Sequence, residues 1–219
     1  MFESLPDIPR LFTALAEWGA ALVYVVVVAR SASSNALNPH TAVPRWRLAA
    51  AACGGLAVLV GAQELLGHAP LSLWVPGMMT AYALVWCVIR VGTALDWRWV
   101  THMSARAFIV AELAASLAWQ VVVYSHADKP YWHPLSFGGF GAIAATCLAV
   151  VYFFERRVYR QGALPVLRYA DLASGVFIGM SIFALSNLSF ISTATPFSGR
   201  SGWEVFYIRT LVDLAGYAI

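Results

Sequence analysis

Residues 11–29 read LFTALAEWGAALVYVVVVA, an apolar run whose one charge is Glu17 and which closes on Arg30. A hydrocarbon core of about 30 Å is crossed by roughly 20 helical residues, so this run is long enough to span a bilayer. Read outward from it, the chain repeats the pattern. Runs of similar length, bounded by charges, Pro or Gly, lie at Leu48–Leu66, Ser72–Val91, Met103–Tyr124, Leu135–Phe154, Tyr169–Phe190 and Glu204–Ile219. The expectation is an all-α fold: one polytopic membrane bundle of about seven transmembrane helices, residues 1–219 forming a single domain.

Composition agrees, with 60% hydrophobic residues against 11% charged and a mean hydropathy of +0.70, where soluble domains carry about a quarter charged residues. A soluble core of this size has no room for so many apolar side chains, whereas helices in lipid need not share one core. The N-terminal segment has Glu3 and Asp7 and no basic stretch before the first run, so that run reads as a retained helix rather than a cleaved signal peptide. Trp46, Trp74, Trp97, Trp99, Trp132 and Trp203 fall at the run ends, where amphipathic rings favour the headgroup layer.

Arginines set the expected orientation. Ten (Arg30, Arg45, Arg47, Arg90, Arg98, Arg106, Arg156, Arg157, Arg160 and Arg168) flank the first, third and fifth connections, against Arg10, Lys129 and Arg200 on the other side. Basic residues in short loops stay cytoplasmic, so the N-terminus is expected outside and the end of the seventh helix in the cytoplasm. That seventh run spans 16 residues and reaches Ile219 without a basic stop or aromatic anchor. It reads as a span cut off, with more chain expected beyond it.

Several chemistries are excluded or unsupported. There is no basic stripe with interleaved aromatics for nucleic acid, and no G-x-S-x-G, phosphate-binding Gly-x-x-x-x-Gly-Lys or H-E-x-x-H motif. The one lysine, Lys129, stands in a loop beside Pro130, which removes the membrane lysine a retinal Schiff base needs. Cys53, Cys87 and Cys147 lie in apolar runs, far from any metal-binding spacing, and read as small buried hydrophobes. No cofactor is expected in this segment.

Ionisable residues inside a span cost at least about 2.5–3.5 kcal/mol at its centre and are functional candidates for that reason. Glu17, Glu64, Glu112, Arg209 and Asp213 are of this kind, with Asp171 nearer the cytoplasmic face. The orientation places Glu17, Glu64, Arg209 and Asp213 in the outer halves of their helices with the polar Gln63 and Asn187, a distribution compatible with an outward-facing pocket. Arg209 and Asp213, four apart, share a helix face and form either a structural ion pair or part of a ligand site. The outer loop SHADKPYWHP (Ser125–Pro134) offers His126, Tyr131, Trp132 and His133 to an extracellular ligand, or simply an aromatic belt with two exposed histidines. Gly175-x-x-x-Gly179 has the spacing of close helix packing.

The C-terminal stretch ALSNLSFISTATPFSGRSGWEVFYIRTLVDLAGYAI (Ala184–Ile219) resembles the end of the membrane region in bacterial sensor histidine kinases with a GHKL-type ATPase domain. The similar elements are SNLSF (Ser186–Phe190), TPFSG (Thr195–Gly199) and YIRTLVDLAGYAI (Tyr207–Ile219), with DIPR (Asp7–Arg10) and ALAEW (Ala14–Trp18) at the opening. The match covers about a quarter of the chain. The resemblance implies a receptor in the bacterial cell membrane: a bundle that senses an extracellular or membrane ligand, a homodimer, and a kinase domain after residue 219. That domain would use ATP and Mg, phosphorylate a histidine and pass the phosphate to a response regulator. The rival expectation is a small-molecule transporter or channel, since intramembrane charges also line substrate paths.

Overall fold

The computed structural model describes residues 8–34, 43–125, 130, 132–159, 167–186 and 203–218. Among them the structure is helical, without strands: α1 (Arg10–Ser34), α2 (Arg45–Gly67), α3 (Trp74–Gly92), α4 (Trp97–Ser125), α5 (Pro134–Tyr159), α6 (Tyr169–Ser186) and α7 (Trp203–Ala218), with a short 3-10 turn at Leu71–Leu73. Five of these helices, α1 to α5, are long and apolar enough to cross a membrane. The chain is a multi-pass membrane protein. Helices are the form an apolar chain takes in lipid because every backbone N–H and C=O is satisfied within the segment.

Neighbouring helices run up and down. Gly67 at the end of α2 lies against Arg10 at the start of α1, and Gly92 at the end of α3 lies against Val25 in the second half of α1. One end of the bundle therefore gathers the starts of α2, α4 and α6 with the ends of α1, α3, α5 and α7. It is the arginine-rich end.

The axis is α4. In its apolar window 83% of residues are buried inside the protein, against 50% in α1 and 17% in α5, so the other helices are arranged around it. Small residues permit this: Ala105, Ala107, Ala111, Ala114, Ala115 and Ala118 are all buried and let neighbouring backbones approach closely. The outer surface is apolar as well, with Leu65, Val58, Phe153, Phe154 and Phe177 exposed, as befits a surface that meets acyl chains. Cys53 and Cys87 sit on that surface and Cys147 is half-buried, which corrects the expectation of three buried thiols. Lipid accommodates a thiol much as a core does, so an apolar run does not say which way its cysteine faces.

Two irregularities are repaired by side chains from other helices. Within α2, Ala50–Gly54 is π-helical, a form that disturbs the normal carbonyl partners, and Trp18 of α1 donates its indole N–H to Ala52 O at 2.7 Å. At the end of α3, Arg47 of α2 donates to the carbonyls of Arg90, Val91 and Thr93 at 2.8–2.9 Å, supplying donors that the last turn of a helix lacks. At the opposite end of the bundle Phe12 stacks on Phe140, centroids 4.0 Å apart, and meets the edge of Trp119, which ties α1, α4 and α5.

Gly92 marks a close crossing of α3 with α1 and α2. A Cβ there would stand 2.6 and 2.7 Å from the two methyls of Val25 and 3.1 Å from Ala51 Cβ, whereas one on Gly61 would meet nothing within 4 Å. Overpacking of this kind costs about 1–3 kcal/mol. Gly92→Ala should lower the melting temperature in detergent, and Gly61→Ala should leave it unchanged or slightly raised. Equal melting temperatures for the two variants would show that α1 and α3 do not cross at Gly92.

Candidate functional site

Glu155 lies in the last two turns of α5, between the outward Phe154 and the arginines 156 and 157. Its side chain is 3% exposed, and a carboxylate out of water needs a cation and further donors. One oxygen, Oε1, collects them all. It accepts from Arg106 Nη2 at 2.9 Å and Nε at 3.2 Å, from the Tyr24 hydroxyl at 2.9 Å and from the Tyr217 hydroxyl at 3.1 Å. The guanidinium also lies 5.0 Å from the centre of the Tyr217 ring, within cation–π range. Four helices, α1, α4, α5 and α7, thus meet on one carboxylate oxygen near the arginine-rich end.

Beside this node a cavity of about 300 Å³ opens between α4, α6 and α7. His102, Arg106, Asp171 and Ser174 give it polar walls, and Gly175 leaves room opposite His102, whose Nδ1 would lie 3.4 Å from a Cβ at that position. Gly179, one turn on, packs on Ala105 and Ile109, so the Gly175-x-x-x-Gly179 spacing does carry close packing of α6 on α4. Peripheral pins complete this end: Arg30 donates to Tyr152 at 2.6 Å, Arg98 donates to the Tyr169 hydroxyl and lies over its ring, and Arg168 pairs with Asp171 at 3.2 Å. The last pair is exposed and contributes little.

The expected outward-facing cluster is assembled in part. Glu17 is buried in α1 and accepts a hydrogen bond from Gln63 of α2 at 2.8 Å, with Glu112 and Arg10 within Coulombic reach. Glu112 in α4 and Asp213 in α7 are buried too. Gln120 of α4 donates to Thr210 at 2.7 Å and Arg106 meets Tyr217, a register that brings Asp213 level with the turn from Glu112 to Ser116. Glu64 is not part of the cluster. It is exposed, because successive residues on a helix point about 100° apart and Gln63 takes the inward position.

The side chain of Arg209 lies outside the described residues, as do His126, Tyr131 and Asn187, so the pairing expected of Arg209 with Asp213 has no geometry to report. Trp132 is 70% exposed, in keeping with either a belt or a contact role. His133 is used locally: its Nδ1 accepts from the backbone N–H of Leu135 at 3.3 Å and its carbonyl from Phe137 at 3.0 Å, which caps the start of α5. Among the described residues no three His, Cys, Asp or Glu side chains gather in a metal-binding group.

No family model, curated protein or solved structure matches the chain. The site therefore speaks through its geometry. Neither of its two principal charges stands among the candidates that the sequence singles out, where Arg106 counts as a loop-flanking arginine. The signal was present: Arg106 falls inside the apolar run Met103–Tyr124, and Glu155 directly follows Leu135–Phe154.

Breaking a buried ion pair on one side costs about 3–5 kcal/mol because a charge is stranded. Arg106→Leu and Glu155→Leu should each reduce the yield of folded, monodisperse protein sharply, and the double variant should recover much of it. Tyr24→Phe removes one hydrogen bond to a charged group, worth about 1.5–3 kcal/mol, and should lower the melting temperature less than either charge deletion. If the double variant loses as much as both singles together, the two charges do not compensate each other.

Proposed function

We propose that residues 1–219 are the membrane-embedded sensor region of a bacterial sensor histidine kinase, passing a signal from the bundle to a cytoplasmic GHKL-type ATPase domain. In this reading all seven helices span the membrane, the N-terminus is outside and the arginine-rich end faces the cytoplasm. The reading is supported by the resemblance of Tyr207–Ile219 to the end of such membrane regions, and by the place of that segment in the fold. The observation that carries it is Tyr217: the helix that would lead to the kinase ends on the Glu155 node, hydrogen-bonded to a carboxylate that α1, α4 and α5 also hold. A displacement of any of these helices changes what holds α7. A signal acts by favouring one packing over another, and a shared buried carboxylate has few intermediate arrangements, since losing a donor is costly.

The buried Glu17–Gln63 pair with Glu112 nearby favours a second reading, a transporter or channel in which these groups line a solute path. In membranes from cells carrying the natural gene, labelled ATP and Mg should phosphorylate the polypeptide containing residues 1–219 on histidine. Tyr217→Phe should shift that labelling roughly fivefold or more in either direction, the lower end of typical coupling energies. Absence of histidine label, with solute uptake by the purified protein in proteoliposomes that Glu17→Gln abolishes, would replace the sensor reading with the transporter one. Orientation is tested separately. With Cys53, Cys87 and Cys147 replaced by alanine, a cysteine at Ser33 should react with an impermeant maleimide only in inverted vesicles, and one at Ser125 only in intact cells. The reverse pattern overturns the topology.

A further inference from the structure

The cavity between α4, α6 and α7 has a polar end and an apolar end, in an order set by depth. With a rise of about 1.5 Å per residue, His102 and Arg106 stand about 8 and 14 Å from the start of α4, and Asp171 and Ser174 within about 8 Å of the start of α6. Ile109 and Ile178 line the deeper wall. At 29 residues, α4 is about 44 Å long, some 14 Å more than the hydrocarbon core, so its opening turns, with Trp97 and Trp99, reach into the headgroup layer. Shared between the two ends of α4, that excess sets His102 at about the boundary between headgroups and acyl chains and Arg106 roughly one turn inside it, with Ile109 and Ile178 deeper still. Asp171 and Ser174 are exposed, which leaves the cavity open at its polar end.

Its donors have capacity to spare. Arg106 gives Nε and Nη2 to Glu155, with the Tyr24 and Tyr217 hydroxyls also in reach of its guanidinium, which carries five N–H donors in all; among the described residues the ring nitrogens of His102 have no hydrogen-bond partner, its contact being the edge-on packing with Trp99. Among the described residues the one acid on the cavity wall, Asp171, is held by Arg168. Arg98, Arg156 and Arg157 belong to the same end of the bundle, so the surrounding field is positive.

We propose that this cavity is a binding site for an anionic membrane amphiphile, a phospholipid whose phosphate meets Arg106 and His102 while its acyl chain passes Ile109 and Ile178. Basic pockets between transmembrane helices suit anionic headgroups, and the depth-ordered walls select a molecule that is charged at one end and apolar at the other. Gly175 keeps the space open. The headgroup and Glu155 draw on the same guanidinium, so occupancy bears on the node that holds Tyr217; that consequence, unlike the binding, rests on the sensor reading.

The test is native mass spectrometry of the protein extracted from vesicles of phosphatidylglycerol or of phosphatidylcholine. One phosphatidylglycerol per chain should survive activation, and phosphatidylcholine should be lost. Gly175→Leu, which fills the cavity without altering charge, and His102→Ala, which leaves the Arg106–Glu155 pair in place, should each cut retention roughly tenfold, about 1.4 kcal/mol. Circular dichroism and elution volume confirm that both variants are folded. Equal retention by wild type and Gly175→Leu, or equal retention of the two lipids, overturns the proposal. Titration with inorganic phosphate covers the soluble source: saturable binding of phosphate that Gly175→Leu abolishes, without retained lipid, overturns it in favour of a free anion. Because the readout is bound lipid and not phosphorylation, its failure leaves the sensor reading untouched, and failure of the phosphorylation assay leaves the lipid site untouched.

Discussion

A carboxylate buried among helices cannot stand alone, and the arrangement of this bundle at its arginine-rich end follows from the way Glu155 is answered. Only 3% of its side chain is exposed, and one oxygen takes four donated hydrogen bonds from three other helices. Without Arg106 the charge would be stranded, and without the two tyrosine hydroxyls the ion pair would be under-satisfied, the condition in which a buried pair destabilises. Because the donors come from α1, α4 and α7, satisfying one residue of α5 fixes the relative height of all four helices. Apolar packing in a membrane cannot do this as sharply, since lipid tails compete with side chains on nearly equal terms.

The remaining contacts extend the same logic. Small residues along α4 let its neighbours come near, and polar groups then set rotation and register: Trp18 on Ala52, Gln63 on Glu17, Gln120 on Thr210, and Arg47 on the last carbonyls of α3. Each answers a group that would otherwise be unsatisfied in a medium without water. The arginine-rich end carries the ion pair, the cavity and the arginine–tyrosine pins, while the opposite half holds the stacked Phe12 and Phe140 and the Glu17–Gln63 pair. Among the described residues, charge asymmetry along the bundle thus coincides with a division between an end rich in polar contacts and a half packed by aromatic rings.

How much was legible can be seen at neighbouring positions. Gln63 and Glu64 are adjacent and both polar, yet one is buried against Glu17 and the other is exposed; nothing in a uniformly apolar helix says which face is inward, because in lipid both faces favour apolar residues. The same ambiguity misplaced the cysteines. Arg106 was visible as a charge within an apolar run, but its partner lies 49 residues away at the edge of another run, and only the antiparallel pairing of α4 with α5 brings them together. His133, a ligand candidate by sequence, also takes part in the hydrogen bonds at the start of α5, a local contact that only the structure shows.

What the sequence determined by itself is the class of the molecule and the placing of its helices. Runs of about 20 apolar residues separated by charged or turn-forming segments dictate helices in lipid, since length, hydropathy and backbone hydrogen bonding are properties of the local chain. What only the tertiary structure decided is which charges meet, which polar residues face inward, and where space is left between helices. Those depend on rotation and relative height, quantities that belong to pairs of helices and are set by interactions such as the one between Arg106 and Glu155.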